Sequence, residues 1–259
     1  MKDRIQRLGR VVEILRERNG ASIKELAGCL KVSEMTIRRD LEELRRENII
    51  SLIHGAAIFR TDPAQGGQQR DYHLSLEKAV SNTEKERIGK AAARMVVPGD
   101  IIIIDIGTTT ECVTRHIPMD HPITALCFTM NALTEICKKN IENLIMGGGY
   151  YHSNTQLFES VETISLIQRI RATKLFLSAA GISRELGLTC ANQYEVNVKQ
   201  ACINSSLKKI LTADSRKFGR IRPAYFASLD KMDTVITDSN IEDSWVKIME
   251  DMGITVEVV

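Results

Sequence analysis

The sequence is poor in aromatic residues, 5% of its 259 positions with a single tryptophan, and carries only 5 prolines. It also lacks any apolar run near the roughly 20 residues needed to cross a bilayer, so no membrane partner is expected. The opening residues, MKDRIQRLGRVVEILRERNG, make a charged amphipathic segment without the apolar centre of a signal peptide. A cytoplasmic protein is the expectation. Six cysteines (Cys29, Cys112, Cys127, Cys137, Cys190, Cys202) include no CxxC pair and stand among mostly apolar neighbours. That pattern argues against a disulfide framework or a metal site and predicts buried free thiols; no metal or cofactor is expected. Net charge is also nearly absent, +2 from 35 Lys and Arg against 33 Asp and Glu, too little to announce a nucleic-acid partner.

The charge that exists is unevenly placed. Residues 1–60 hold 13 Lys and Arg against 9 Asp and Glu, a net of +4, and the remainder nets −2. Typical domains hold about 100–150 residues, so the chain is long enough for two, with the small one basic. An excess this modest gives one such domain weak affinity for DNA. Tight binding would need two or more acting together, which predicts a homo-oligomer.

Within the basic segment, residues 22–46 read SIKELAGCLKVSEMTIRRDLEELRR, the outline of two short helices joined by a tight turn. Ser22 can cap the first helix, with Glu25 three residues on to close a capping box, and Leu26 and Leu30 continue its apolar face. Lys31, Val32 and Ser33 make the turn, and Ser33 can cap the second helix. At about 100° per residue, Ile37, Leu41 and Leu44 share one face of that helix. Met35, Arg39, Glu42 and Arg46 lie opposite, with Thr36 and Arg38 on the flanks. A helix with that polar, cationic face suits a DNA major groove, where arginine forks onto guanine or binds phosphate. Ser33, Met35, Thr36, Arg38, Arg39 and Arg46 are therefore the candidate DNA-binding residues. Ile5, Leu8, Val12 and Leu15 give a preceding helix, and IISLIHGAAIF gives a hairpin with its turn at His54 and Gly55, which completes a winged helix-turn-helix.

The run SEMTIRRDLEEL, followed by a hydrophobic segment and HGA, resembles the N-terminal domain of DeoR-family bacterial transcriptional regulators. One departure is Ala56, where the family usually has a second glycine. The resemblance implies operator DNA as a partner.

Residues 61–69, TDPAQGGQQ, have the composition of a linker, giving domains at 1–60 and 72–259 with a linker over 61–71. A helix is expected over about 83–97. Beyond it, β-rich runs at 101–105, 123–128, 143–148, 174–181, 208–214, 234–238 and 254–259 alternate with helical stretches near 110–117, 132–139, 161–171, 194–206 and 241–252. Strands apolar on both faces, separated by single helices, predict an α/β fold with a mostly parallel sheet covered on both sides.

In such folds ligands bind beyond the carboxyl ends of the strands. The first strand runs through Asp105 into Gly107, Thr108, Thr109 and Thr110 at the start of a helix, a combination of hydroxyls, backbone N–H groups and positive helix end that suits a phosphate. It lacks the GK[ST] of a P-loop. The second strand leads into Thr129, Met130 and Asn131. The third ends in Gly147, Gly148 and Gly149, whose missing Cβ atoms let backbone approach a ligand or another strand, and is followed by the polar residues Tyr150, Tyr151, His152 and Asn154. Asp214 to Gly219, DSRKFG, follows the fifth. Glu195 and Lys199, four apart on a helix, read by themselves as a surface ion pair.

Taken in order, EKERIGKAAARMVVPGDIIIIDIGTTT, TMNAL, IMGGG, SAAGI, EVNVKQA and DSRKFG resemble the DeoR-family C-terminal sensor domain, so the likeness covers nearly the whole chain. It implies the sugar-phosphate isomerase/CoA-transferase type of α/β fold and a phosphorylated-sugar effector. By the same resemblance Gly107, Thr108, Thr109 and Thr110 hold the phosphate, and Asp105, Asn131, Gly148, Lys199, Asp214 and Lys217 complete the ligand site. Where most members read DSSK, this chain has Arg216 for the second serine. The runs CFTMNA, GGGYYHSN, LSAAGI and KFGRIRPA resemble the deoxyribonucleoside-operon branch, which implies deoxyribose 5-phosphate as inducer. The competing class is an isomerase-type enzyme using Asp105, Asp214 and Lys199 as acid and base; such an enzyme has no need of a helix-turn-helix and linker, so a sugar-responsive repressor, with no catalytic residues, is expected. A purely architectural DNA-binding protein would leave the α/β region without a role.

Overall fold

The computed structural model describes residues 2–18, 20–46, 50–53, 56–59, 74, 77, 82–118, 122–139, 141 and 143–259. The linker expected over 61–71 and the wing turn at His54 and Gly55 lie outside them. The chain divides into two compact units, Met1–Asn82 and Thr83–Val259. Among the described residues, no helix is long and apolar enough to cross a membrane.

The first unit runs α1 (Lys2–Arg18), β1 (Ala21–Ser22), α2 (Ile23–Leu30), α3 (Glu34–Arg46), β2 (Ile50–Ile53) and β3 (Ala56–Phe59). Its capping chemistry is as the sequence predicts. The Ser22 hydroxyl accepts from the Glu25 N–H at 3.2 Å while the Glu25 carboxylate accepts from the Ser22 N–H at 2.8 Å. Lys31 ends α2 in the left-handed region at φ 52°. Val11, Val12, Leu15, Ile23, Leu26, Ile37, Leu41 and Leu44 form the core with Ile50 and Ala57 from the wing. Strands β2 and β3 pair antiparallel with Ile53 opposite Ala56, and β1 adds to the outer side of β3. Asp40, on the otherwise apolar side of α3, is buried and held by Arg7 of α1 at 2.6 Å, so an ion pair ties these two helices together.

The second unit begins with α4 (Asn82–Ala93) and is built on β4 (Ile101–Ile104), α5 (Thr108–His116), β5 (Thr124–Cys127), α6 (Met130–Ile136), β6 (Asn143–Met146), β7 (Tyr150–His152), β8 (Leu157–Glu159), α7 (Val161–Arg169) and β9 (Ala172–Leu177). It continues with β10 (Gly181–Ser183), β11 (Gly187–Cys190), α8 (Val196–Asn204), β12 (Ser206–Thr212), β13 (Ala224–Ala227), β14 (Thr234–Thr237), α9 (Asp243–Asp251) and β15 (Thr255–Val258). Seven strands form one parallel sheet in the order β15-β14-β12-β9-β4-β5-β6. These are the seven expected from the sequence.

Alternate residues of each strand enter opposite cores, as the two-residue side-chain period requires. Ile103, Leu126, Leu175, Leu177, Leu211 and Val235 pack with Ile167, Val198, Cys202 and Met249 of α7, α8 and α9. Ile102, Ile104, Ala125, Phe176, Ile210 and Ile236 pack with Ile88, Val113 and Ala132 of α4, α5 and α6. The chain proceeds from β4 outward through β5 and β6, then returns to β9 and builds the other half of the sheet. The topological switch point therefore lies between β4 and β9.

Three features depart from expectation. The polar residues after the third strand belong to the hairpin of β7 and β8, and β10, β11 and β13 form a separate antiparallel sheet. Cysteine burial also divides: Cys112, Cys127, Cys190 and Cys202 are buried, whereas Cys29 and Cys137 are exposed. Burial pushes the Cys112, Cys127 and Cys190 thiols up to about 12 and Cys202 well above its ordinary value. Since the thiolate is the reactive form, two of the six thiols should react rapidly with an aromatic disulfide reagent at neutral pH, and the other four only on unfolding. A third rapid equivalent in the native protein would contradict this packing.

Candidate functional site

In the first unit, α3 presents its polar side outward. Arg38 and Arg39 are exposed, as is Met35 at 62%. The Ser33 hydroxyl accepts from the Thr36 N–H at 3.2 Å and lies 2.9 Å from the Thr36 hydroxyl. Ser33 and Thr36 therefore fix the start of the helix, and their hydroxyls are already paired. Arg46 is the last residue of α3; its side chain lies outside the described residues. Two exposed arginines in the first half of a capped helix, with an apolar Met35 beside them, provide guanidinium donors for phosphate or guanine and a methyl-contacting surface for thymine.

In the second unit the predicted site residues gather at the carboxyl ends of the sheet, around the switch point. The Asp105 Oδ2 follows β4 and accepts from the Ser178 N–H, the first residue after β9, at 2.9 Å. Lys199 reaches the same oxygen from α8 at 2.5 Å and donates to the Ser178 carbonyl at 3.1 Å. Both charged groups are completely enclosed, Asp105 at 0% and Lys199 at 1% exposure. The surface ion pair between Glu195 and Lys199 is thus corrected: both are buried, and Lys199 bonds across the fold to Asp105 because the strand ends bring residues 94 apart in sequence into contact. Burial alone would lower the Lys199 ammonium, but the negative charges of Asp105 and Glu195 outweigh it and hold it above the ordinary lysine value. Burial pushes the Glu195 carboxyl up, against the opposing effect of Lys199 and of Asn192, to which it is capped.

Gly107 precedes α5 at φ 152°, and a Cβ there would stand 2.8 Å from the Ser178 hydroxyl, so only glycine lets this turn pack against the β9 end. No side chain caps α5, so its first N–H groups have no side-chain partner. Thr110 is turned inward, its hydroxyl donating to the Asp105 carbonyl at 2.8 Å. Its role is therefore to shape the turn, and the uncommitted hydroxyls are those of Thr108 and Thr109. Asn131 opens α6 and donates to the Gly107 carbonyl at 3.1 Å and to Glu111 at 3.2 Å; Arg115 neutralises Glu111 at 2.9 Å. Lys217 is buried, and Asp214 accepts from Arg216 Nε at 2.8 Å.

Gly148 is exposed with open space where a Cβ would stand, and its carbonyl accepts from Ser160 and Thr163. The close approaches in that run belong to its neighbours: a Cβ on Gly149 would lie 2.2 Å from the Glu159 carbonyl and one on Gly147 2.7 Å from Thr163. They seat the β7-β8 hairpin and α7. The hairpin in turn joins the strand ends, with Met130 N–H donating to the Gln156 carbonyl at 2.9 Å. Its His152 stacks on Tyr194 at 3.7 Å.

Among the described residues, seven buried side-chain nitrogen or oxygen atoms have no hydrogen-bond partner. Six of them, on Asp105, Thr129, Asn131, Asp214, Arg216 and Thr237, sit at or just after the carboxyl ends of β4, β5, β12 and β14. Buried polar atoms are nearly always paired, and each lone one costs about 1–3 kcal/mol. Their concentration at one end of the sheet singles out that end as the candidate site. A separate cleft of about 530 Å³, lined by Leu186, Ile221, Arg222, Tyr225 and Met252 among others, contains only Arg222 Nε of the seven. Ser178 and Thr237 escaped the sequence reading, and Thr129 was read there as the start of a helix. Ser178 was hidden because that strand was expected to run to 181 and instead stops at Leu177.

The family profile described as the DeoR C terminal sensor domain matches residues 80–239, and that of the DeoR-like helix-turn-helix domain matches residues 7–62. The chain belongs to the DeoR family. The deoxyribose operon repressor of Escherichia coli K12 is 32% identical over 94% of this chain and 94% of its own. The glycerol-3-phosphate regulon repressor of the same organism is 29% identical over 98% of each. Among solved structures, ribose 5-phosphate isomerase A from Methanocaldococcus jannaschii aligns with 52% of this chain and 53% of its own at 12% identity and a TM-score of 0.39. As a DeoR-family member with both domains, the chain is a DNA-binding transcriptional regulator and not an enzyme.

Proposed function

We propose that this DeoR-family protein represses a sugar-catabolic operon and leaves its operator when a phosphorylated sugar, deoxyribose 5-phosphate foremost, binds at the strand ends of the second unit. The reading rests on a head over residues 1–60, a linker over 61–71 and a sensor over 72–259, acting as a homo-oligomer so that several weakly basic heads engage one operator. Its principal support is the set of buried, unpartnered polar atoms at the carboxyl ends of β4, β5 and β12, beside an uncapped helix start. The free N–H groups of α5 and the Thr108 and Thr109 hydroxyls take the phosphate. Asp105 Oδ1, Asn131 Oδ1, Asp214 Oδ2 and the Lys217 ammonium take the sugar hydroxyls. Lys199 holds Asp105 in place. The names of the two Escherichia coli relatives, one for deoxyribose and one for glycerol 3-phosphate, agree with an effector of this chemistry.

A ligand that binds only the folded state stabilises it by about 2.7 kcal/mol at a hundred times its dissociation constant. In a thermal-unfolding screen of the full chain, deoxyribose 5-phosphate should raise the midpoint by several degrees, and unphosphorylated deoxyribose at the same concentration should not. Equal shifts from the two would exclude the phosphate subsite.

For the head, Arg39→Ala should cost roughly 1–3 kcal/mol of operator affinity and relax preference at one base if Arg39 reads a guanine edge. If it grips phosphate, affinity for all sequences should fall together. Binding measured at fixed salt that equals wild type in both Arg38→Ala and Arg39→Ala would remove α3 from the DNA interface.

A further inference from the structure

We infer that Asp214 and Arg216 form the hydroxyl-recognising end of the effector site and select a sugar phosphate by its length; the inference rests on the sugar-phosphate reading above. Arg216 Nε donates to Asp214 Oδ1 at 2.8 Å, yet Asp214 Oδ2 and Arg216 Nη2 are both buried without a partner. A guanidinium and a carboxylate commonly make two parallel bonds. Here one is made, and a donor and an acceptor are left over on the same pair. The Arg216 side chain is 32% exposed while its Nη2 is enclosed, so this one nitrogen is turned away from water.

The chemistry of the leftover atoms restricts what fits. A second anion would gain from Arg216 but meet the Asp214 carboxylate, itself 1% exposed. A hydroxyl satisfies both, since it donates to the carboxylate and accepts from the guanidinium. Position adds a length criterion. The sheet order places β9 between β4 and β12, and strands lie about 4.8 Å apart, so the ends carrying Asp105 and Asp214 are separated by about 10 Å. With the phosphate on α5, a five-carbon sugar phosphate in its ring form carries the anomeric hydroxyl at its far end towards Asp214 and Arg216. A three-carbon polyol phosphate falls short.

Calorimetric titration of the full chain with 2-deoxyribose 5-phosphate, glycerol 3-phosphate and inorganic phosphate tests this, using wild type, Arg216→Met and Arg216→Lys. Wild type should bind the five-carbon ligand at least tenfold more tightly than the three-carbon one. Both variants should lose at least tenfold for the five-carbon ligand and stay within twofold for the other two, because lysine keeps the charge but not the second N–H direction. If Arg216→Met fails to fold, Arg216→Lys carries the comparison. Unchanged five-carbon affinity in the folded variants, an equal loss for all three ligands, or no length preference in wild type would overturn the assignment while leaving the phosphate site standing. Failure of wild type to bind any of the three would overturn the sugar-phosphate reading itself.

Discussion

Lys199→Met should destabilise the protein by roughly 3–5 kcal/mol, because it leaves the Asp105 carboxylate enclosed without its counter-ion. Asp105 is at 0% exposure, and the Ser178 N–H and its more distant hydroxyl are neutral donors that cannot replace an ammonium at 2.5 Å. The double variant with Lys199→Met and Asp105→Asn should recover most of that loss. The amide still accepts from Ser178, and replacing a buried ion pair by uncharged groups is often neutral. Effector binding should nevertheless remain absent in the double variant, since the second carboxylate oxygen, unpartnered in the protein, is gone. Chemical denaturation of the two single variants and the double one supplies the coupling energy. A Lys199→Met variant as stable as wild type would refute the buried pair.

The same pair sets a pH dependence. Its lysine is raised above the ordinary 10.5 in the folded protein, so its contribution is complete below that value and disappears as pH rises through the folded one. Wild type should therefore lose more stability in alkali than the double variant, in which this group no longer titrates.

The parallel sheet was legible because its central strands are apolar on both faces, as in IIIID and TALC, a pattern that a sheet covered on both sides requires. The antiparallel additions were not. Gly181–Ser183 and Gly187–Cys190 are short and glycine-bearing, and Tyr150–His152 is polar enough to pass for a loop. Their existence depends on pairing partners distant in sequence. The helix-turn-helix was readable from local rules of capping and period, whereas the Arg7–Asp40 tie that fixes α1 on α3 was not. At the strand ends, the residue types pointed to Asp105, Thr108 and Thr109, but their division of labour is tertiary. Nothing in the sequence says that Thr110 turns inward, that Gly148 is open to solvent, or that Lys199 abandons the surface for Asp105.

The second large effect joins the two units. If the sugar phosphate is to move the protein from almost wholly operator-competent to almost wholly released, it must favour the released state by about 5.5 kcal/mol, close to ten-thousandfold. Coupling of binding free energies is reciprocal, so operator DNA must weaken the sugar phosphate by the same factor. A smaller coupling would produce partial release, and none would leave the strand-end site without regulatory effect.

Calorimetric titration of deoxyribose 5-phosphate into the full-length protein, free and saturated with operator, measures this coupling directly. The proposed mechanism predicts a dissociation constant larger by several orders of magnitude in the presence of operator. Identical dissociation constants in the two titrations would contradict release by this ligand.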